Sequence, residues 1–236
     1  MNINYSVNIM NKNLSQKNIF ADKATLILRK MLQEPQRKWV VRDFNGPKGV
    51  SLGLTQQVLE IMAQKGYVER VKKGPDSYTL LTYPDKLIKE WIEAYKFELN
   101  PVSTYYTHDK DILKKMKLAL KNRAYALTLH TGANLLTSYV KTDHVYIYLD
   151  TDNWDKDILS IRQQLDLKEL VQGGNVHFIK PFYKASIFTD KQMIEGFSVV
   201  SNLQLFLDLY HFQPRGREHA EFLKEQLEQK GKNLGQ

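Results

Sequence analysis

The segment DTDNWD, residues 150–155, sets carboxylates at alternate positions, the way a calcium loop begins. Such a loop also needs a glycine at its bend and a distal glutamate. Here Trp154 stands at a ligand offset and neither the glycine nor the glutamate is present, so no calcium site is expected. Asp143 and Asp150 flank a stretch that alternates like a strand, a placement used by metal-dependent nucleases. The following HFIKP, however, offers Lys180 with no acidic residue two positions before it. Six histidines stand alone, without His-x-x-x-His spacing, and there is no cysteine, which removes zinc-finger, disulfide and thiolate chemistry. The chain has no phosphate-binding P-loop, no nucleophile elbow and no dinucleotide fingerprint. Neither a metal nor a cofactor is expected, and a nucleic-acid-processing enzyme is the lesser reading.

A different chemistry is written in GVSLGLTQQVLEIMAQKGYVERVKKG, residues 49–74. Ser51 is placed to cap a helix whose inward positions are Leu54 or Thr55, Val58, Leu59 and Met62, and Gly66 can end it in a left-handed conformation. Leu52, Gly53, Gln56 and Gln57 then face outward near its start. Glutamine can bond bidentately to an adenine edge, and a helix N-terminus favours phosphate. Lys48 precedes the helix, while Arg70, Lys72 and Lys73 fall on a following hairpin where they would meet phosphate without reading sequence. The chain carries a net charge of +8, and residues 1–82 hold thirteen Lys and Arg against six Asp and Glu, so nearly all the excess is here. Double-stranded DNA is therefore the expected partner of this segment. A purely protein-binding adaptor is the competing reading.

The elements around these residues read as an α+β chain: an N-terminal winged helix-turn-helix followed by a mixed α/β C-terminal domain. Residues 1–20, rich in Asn, Ser and Lys, are expected to be a flexible arm. Residues 21–83 form the winged-helix unit. Asp22 caps its first helix, with Leu26, Ile27, Lys30 and Met31 as the stripe and Pro35 as the stop. A short strand follows over Trp39–Val41, then a helical turn at Asp43 and Phe44, the Ser51 helix, and a hairpin turning at GPDS. Residues 84–100 form a linking helix in which Leu87, Ile88, Trp91 and Tyr95 share one buried face.

Residues 101–236 are expected to alternate strands and helices. RAYALTLH, DHVYIYLD and NVHFIKP read as strands, TGANLLTSYV and the Trp154, Ile158, Ile161, Leu165 stripe as helices, and ASIFTDKQMIEGFSVVS as a hairpin turning at Glu195 and Gly196. LQLFLDLYHF fits both periods. Ser201 and Asn202 as caps and Pro214 as a stop favour helix. After the turn QPRGRE comes a last helix with Ala220, Leu223 and Leu227 facing in. Asp208 and Arg217 are placed to pair across that turn, and the alternative is an oxyanion or nucleotide site on Arg215 and Arg217.

No apolar run reaches the roughly 18 residues of a membrane span, and the first 20 residues lack a leader pattern, so no membrane partner and a cytoplasmic location are expected.

The stretch VVSNLQLFLDLYHFQPRGREHAEFL resembles the closing block of the AbiEi-type antitoxins of type IV toxin–antitoxin systems, and YPDKLIKEW and GGNVHFIKPF resemble two further blocks. Ser201, Gln204, Asp208, Arg215, Gly216 and Arg217 are the positions carrying the likeness, without an assigned ligand. The resemblance implies a repressor of its own operon acting on an inverted-repeat operator. It further implies a C-terminal domain that counters a nucleotidyltransferase-like toxin without a stable complex. FNGPKG before the third helix departs from the family pattern, and a stand-alone regulator is equally compatible with these residues.

Overall fold

The computed structural model describes residues 18–46, 49–170 and 172–236. Helix α1 (Asp22–Gln33) opens the chain and a single 3-10 turn follows at Val41–Phe44. Next come helix α2 (Leu52–Gln64) and an antiparallel hairpin of β1 (Val68–Val71) and β2 (Tyr78–Leu81). The strand expected over Trp39–Val41 shrinks to one bridge, Trp39 with Thr79, because Val41 already belongs to the 3-10 turn. Ser51 caps α2 as expected, its Oγ accepting from Leu54 N at 3.4 Å, and Gly66 ends the helix region with φ +70.

Helix α3 (Pro84–Ala94) leads into a 3-10 turn at Phe97–Leu99. Of the face expected to be buried, Leu87, Trp91 and Tyr95 are fully buried while Ile88 is half-buried. Strand β3 (Val102–Tyr105), helix α4 (Ile112–Ala119), strand β4 (Ala124–Leu127) and helix α5 (Leu129–Thr137) come next. They are followed by strand β5 (Val145–Asp150), helix α6 (Trp154–Leu165) and strand β6 (Val176–Ile179). The chain finishes with β7 (Gln192–Ile194), β8 (Phe197–Val199), α7 (Asn202–Tyr210) and α8 (Gly216–Gln229). The six strands form one mixed sheet in the order β3-β6-β5-β4-β8-β7, with β5/β6 and β4/β8 parallel and the other pairs antiparallel. All four residues of β6 are buried, as is Tyr148 opposite the expected Val145, Ile147 and Leu149 face, so the sheet centre is covered on both sides.

Local expectations failed where a long-range contact took over. Leu129 and His130, expected at the end of a strand, begin α5, and the segment before β7 runs through turns in which Ser186 and Ile187 are buried. The expected arm of residues 1–20 lies outside the described residues up to 17. Its last two residues, Ile19 and Phe20, are buried, and the Phe20 ring packs on Trp91 with centroids 5.8 Å apart. Asp22 does not cap α1: Ala21 is the cap residue, and the Asp22 carboxylate instead accepts the backbone N–H groups of Ala185 and Ser186. Thr25, Leu28 and Arg29 are fully buried on α1 while the expected Leu26 and Lys30 are only half-buried. One hydrophobic cluster runs without a break from Ile19 to Leu234, through the α1–α2 unit, α3 and both faces of the sheet. Among the described residues no helix is long and apolar enough to cross a membrane.

Candidate functional site

Two regions concentrate the residues singled out by the sequence, and their environments are opposite. The first is the start of α2 beside the hairpin. Leu52 is 56% exposed, Gln56 is exposed, Gln57 is half-buried, and a Cβ at Gly53 would meet nothing within 4 Å. The open face follows from periodicity, since Thr55, Val58, Leu59 and Met62 turn the other side of α2 into the core. Beyond β1, Ser77 Oγ accepts from Lys73 N at 3.0 Å and donates to Gly74 O at 2.7 Å, which closes the hairpin tip and leaves Lys72 and Lys73 exposed. Arg70 is committed elsewhere: its Nη1 binds Glu60 of α2 at 2.6 Å and its side chain is only 18% exposed, so it braces the hairpin against the helix. Lys48 lies outside the described residues.

The second region is the block on α7 and the turn after it. Asp208 does not reach Arg217. Its side chain is fully buried, with Oδ1 accepting from Tyr95 Oη at 2.7 Å, Gln204 Nε2 at 2.7 Å and Tyr148 Oη at 3.2 Å, and Oδ2 accepting from the Thr128 hydroxyl. Burial pushes the carboxyl up to about 6, and the four donors pull against that rise. Ser201 Oγ caps α7 through Gln204 N at 3.3 Å. The cation beside this cluster comes from far upstream: Arg29 of α1 donates to Gln204 Oε1 at 2.5 Å and to Ser201 Oγ at 3.5 Å, with its guanidinium over the Trp91 and Tyr183 rings. Gln204 thus links a buried cation to a buried anion, receiving a proton bond on its oxygen and giving one from its nitrogen. Ser201, Gln204 and Asp208 are all buried, so this cluster orders the interior.

Arg217 instead donates to Tyr210 Oη at 3.1 Å, and Arg215 to Glu218 at 3.1 Å, both on the surface. Glu218, Glu221 and Glu225 line the same shallow cleft as the two arginines and Tyr139, a carboxylate rim that disfavours an oxyanion. Gly216 is required by packing: a Cβ there would sit 2.3 Å from Leu209 O.

Four of the six histidines, expected to stand alone, form two pairs. His130 Nε2 lies 3.1 Å from Pro214 O, and since a carbonyl only accepts, that nitrogen carries the proton. His130 Nδ1 lies 2.9 Å from His219 Nδ1, and His219 Nε2 lies 2.8 Å from the Thr137 hydroxyl, which itself donates to Ala133 O at 2.9 Å. His144 Nδ1 and His177 Nε2 meet at 2.8 Å, and His177 Nδ1 lies 3.0 Å from the Thr104 hydroxyl. Burial pushes His219 and His177 down to about 4 and lowers His130, which keeps these rings neutral.

Among the described residues no three metal-binding side chains come together. In the 150–155 segment Asn153 caps α6 by accepting from Lys156 N at 3.3 Å, and Asp157 accepts from Arg123 and Thr151. Asp143 precedes β5 and Asp150 ends it, so the two sit at opposite ends of the strand. Arg29, Thr128 and Tyr148 went unassigned in the sequence, and Tyr95 was expected only on the buried face of the linking helix. The only local signal of their cluster is an aspartate embedded in LFLDLY, which demands buried donors without naming them.

Residues 80–229 match the model of a family described as transcriptional regulator, AbiEi antitoxin, type IV toxin–antitoxin system. No curated protein and no solved structure matches the chain. The matched span begins within β2, takes in the whole mixed sheet and ends at the last residue of α8. It contains Ser201, Gln204, Asp208, Arg215, Gly216 and Arg217, while α1, α2 and Arg29 precede it. With well over half of its residues in that match, the chain belongs to the AbiEi family of type IV antitoxins and transcriptional regulators.

Proposed function

We propose that this AbiEi-family protein is a DNA-binding repressor of its own operon and the antitoxin of a type IV pair, working in the cytoplasm and without catalysis. Residues 21–83 act as a winged helix-turn-helix, with α2 as the recognition helix in the major groove and the β1–β2 hairpin as the wing along the backbone. The observation that carries this reading is the exposed, uncommitted start of α2 lying in the same unit as a lysine-tipped hairpin. Gln56 and Gln57 read base edges of an inverted-repeat operator, while Lys72 and Lys73 hold phosphate. Ser51 fixes the first turn and Leu52 packs on the groove wall. Lys48 adds a phosphate contact. Arg70, already paired with Glu60, contributes through the angle of the wing more than through its charge.

Residues 101–236 supply the antitoxin activity against a nucleotidyltransferase-like toxin, with no stable complex between the two. The test is a reporter fused to the protein's own upstream region. Wild type represses it, and Gln56→Ala with Gln57→Ala relieves repression while leaving weak, sequence-blind DNA binding. Full repression by the double variant removes α2 as the reading helix.

A further inference from the structure

Helix α1 belongs to two packing units at once. One side holds the helix–hairpin unit: Lys30 Nζ donates to Asp43 O and lies 5.6 Å and 5.8 Å from the Trp39 and Phe44 ring centroids. Another side, at helical spacing, is polar and yet faces the sheet domain. There Asp22 accepts the N–H groups of Ala185 and Ser186 at 2.8 Å and 3.2 Å, and the Thr25 and Ser186 hydroxyls meet at 2.8 Å. Arg29 completes the stripe, reaching Ser201 and Gln204. A Cβ at Gly235 near the C-terminus would fall 2.2 Å from Leu32 O, so the chain end is pressed against the last turn of the same helix.

A stripe of this kind would normally face water. Arg29 is 2% exposed, and the Asp190 and Asp208 carboxylates act on it through space. A buried guanidinium tolerates few seatings, because any shift of α1 that breaks its bonds to Ser201 and Gln204 strands a charge out of water. Apolar contacts are non-directional and leave a small roll of α1 weakly specified. A fork donor clamped between a helix-cap hydroxyl and an amide oxygen does not.

We propose that Arg29 is a positioning residue: by seating α1 on Ser201 and Gln204 it holds the helix–hairpin face in one fixed orientation on the sheet domain. The Ser201, Gln204 and Asp208 block then serves DNA reading from a distance, as the socket for a helix outside the family-matched span. This rests on the reading of the helix–hairpin unit as the DNA reader.

The chain has no cysteine, so two spin labels can be placed without background, at Asp76→Cys on the hairpin tip and Leu159→Cys on the surface of α6. Wild type should give one narrow inter-label distance. Arg29→Met should broaden it and lower affinity for the upstream DNA about tenfold, with the dependence of binding on salt unchanged because the phosphate contacts remain. An unbroadened distance in folded Arg29→Met overturns the proposal. If that variant does not fold, Arg29→Lys carries the test: it keeps the charge but loses the fork, so broadening is expected and a narrow distance overturns the proposal. A narrow wild-type distance with no DNA binding removes the repressor reading and leaves the positioning role standing. A broad wild-type distance removes the positioning role whatever the protein binds.

Discussion

The Asp208 cluster and the α2–hairpin face are both polar, but they treat their polar groups in opposite ways. Asp208 has four protein donors, Gln204 uses both ends of its amide, and Arg29 gives Nη1 and Nη2 to Ser201 and Gln204 while its buried Nε has no partner. Gln56, Lys72 and Lys73 are exposed to solvent at the start of a helix and the tip of a hairpin. A buried network with most of its polar groups partnered specifies one arrangement, whereas exposed groups on a rigid frame are left available to a ligand. The positions that carry the family likeness fall largely in the first class, and the positions expected to touch DNA in the second. Substitutions should separate the two by what they damage.

The largest effect is expected at Asp208. Asp208→Ala leaves four buried donors without an acceptor and the Arg29 charge without its anion, a loss of about 3–5 kcal/mol in chemical denaturation. Asp208→Asn, which keeps an acceptor oxygen, should lose clearly less. Equal losses would mean the donors find other partners and the network is not the organising feature.

Acidification comes next. His219 and His177 are held near 4 in the folded protein against an ordinary 6.5, so the unfolded chain takes up protons first as pH falls. Their contribution is fully present above about 6.5 and is lost on the way down to 4, with an upper estimate of about 3 kcal/mol per ring. Asp208 has the opposite sign. Its folded carboxyl titrates near 6 against an ordinary 3.8, so its contribution is present at low pH and lost as pH rises through 6. Two histidines outweigh one aspartate, and stability measured by urea midpoint should fall between pH 7 and pH 5. The fall should be steeper in Asp208→Asn, where only the histidines remain. A midpoint that rises on acidification would contradict the lowered His219 and His177.

Gly216→Ala is expected to cost about 1–3 kcal/mol, because the new methyl would meet the Leu209 carbonyl at 2.3 Å in backbone and not in a flexible side chain. A neutral result would show that the α7–α8 corner can open. The smallest change in stability, within about 0.5 kcal/mol, is expected for Lys72→Ala with Lys73→Ala, which touch little and should alter only binding.

What the sequence made legible follows the same division. The α2 helix, its Ser51 cap, the hairpin and the Ser201 cap of α7 are fixed by neighbours within a few residues, and periodicity or a cap pattern was enough to find them. Arg29 was missed because its partners lie more than 170 positions away and it falls outside the stripe of Leu26, Ile27, Lys30 and Met31 that periodicity marks. The Asp208–Arg217 pair was a sound local guess defeated by helix direction: Asp208 turns inward on α7 while Arg217 lies on the exposed side of α8. The histidine pairs join residues 89 and 33 positions apart, and no spacing rule announces them.

The claim that the N-terminal unit reads DNA is tested most directly by binding to the protein's own upstream region over a salt series, with wild type beside Lys72→Ala/Lys73→Ala. The account predicts a steep fall of affinity with salt in the wild type. It also predicts a weaker double variant whose slope is flatter by up to about two counterions. No binding by the wild type, or binding whose strength and slope ignore the two lysines, would contradict it.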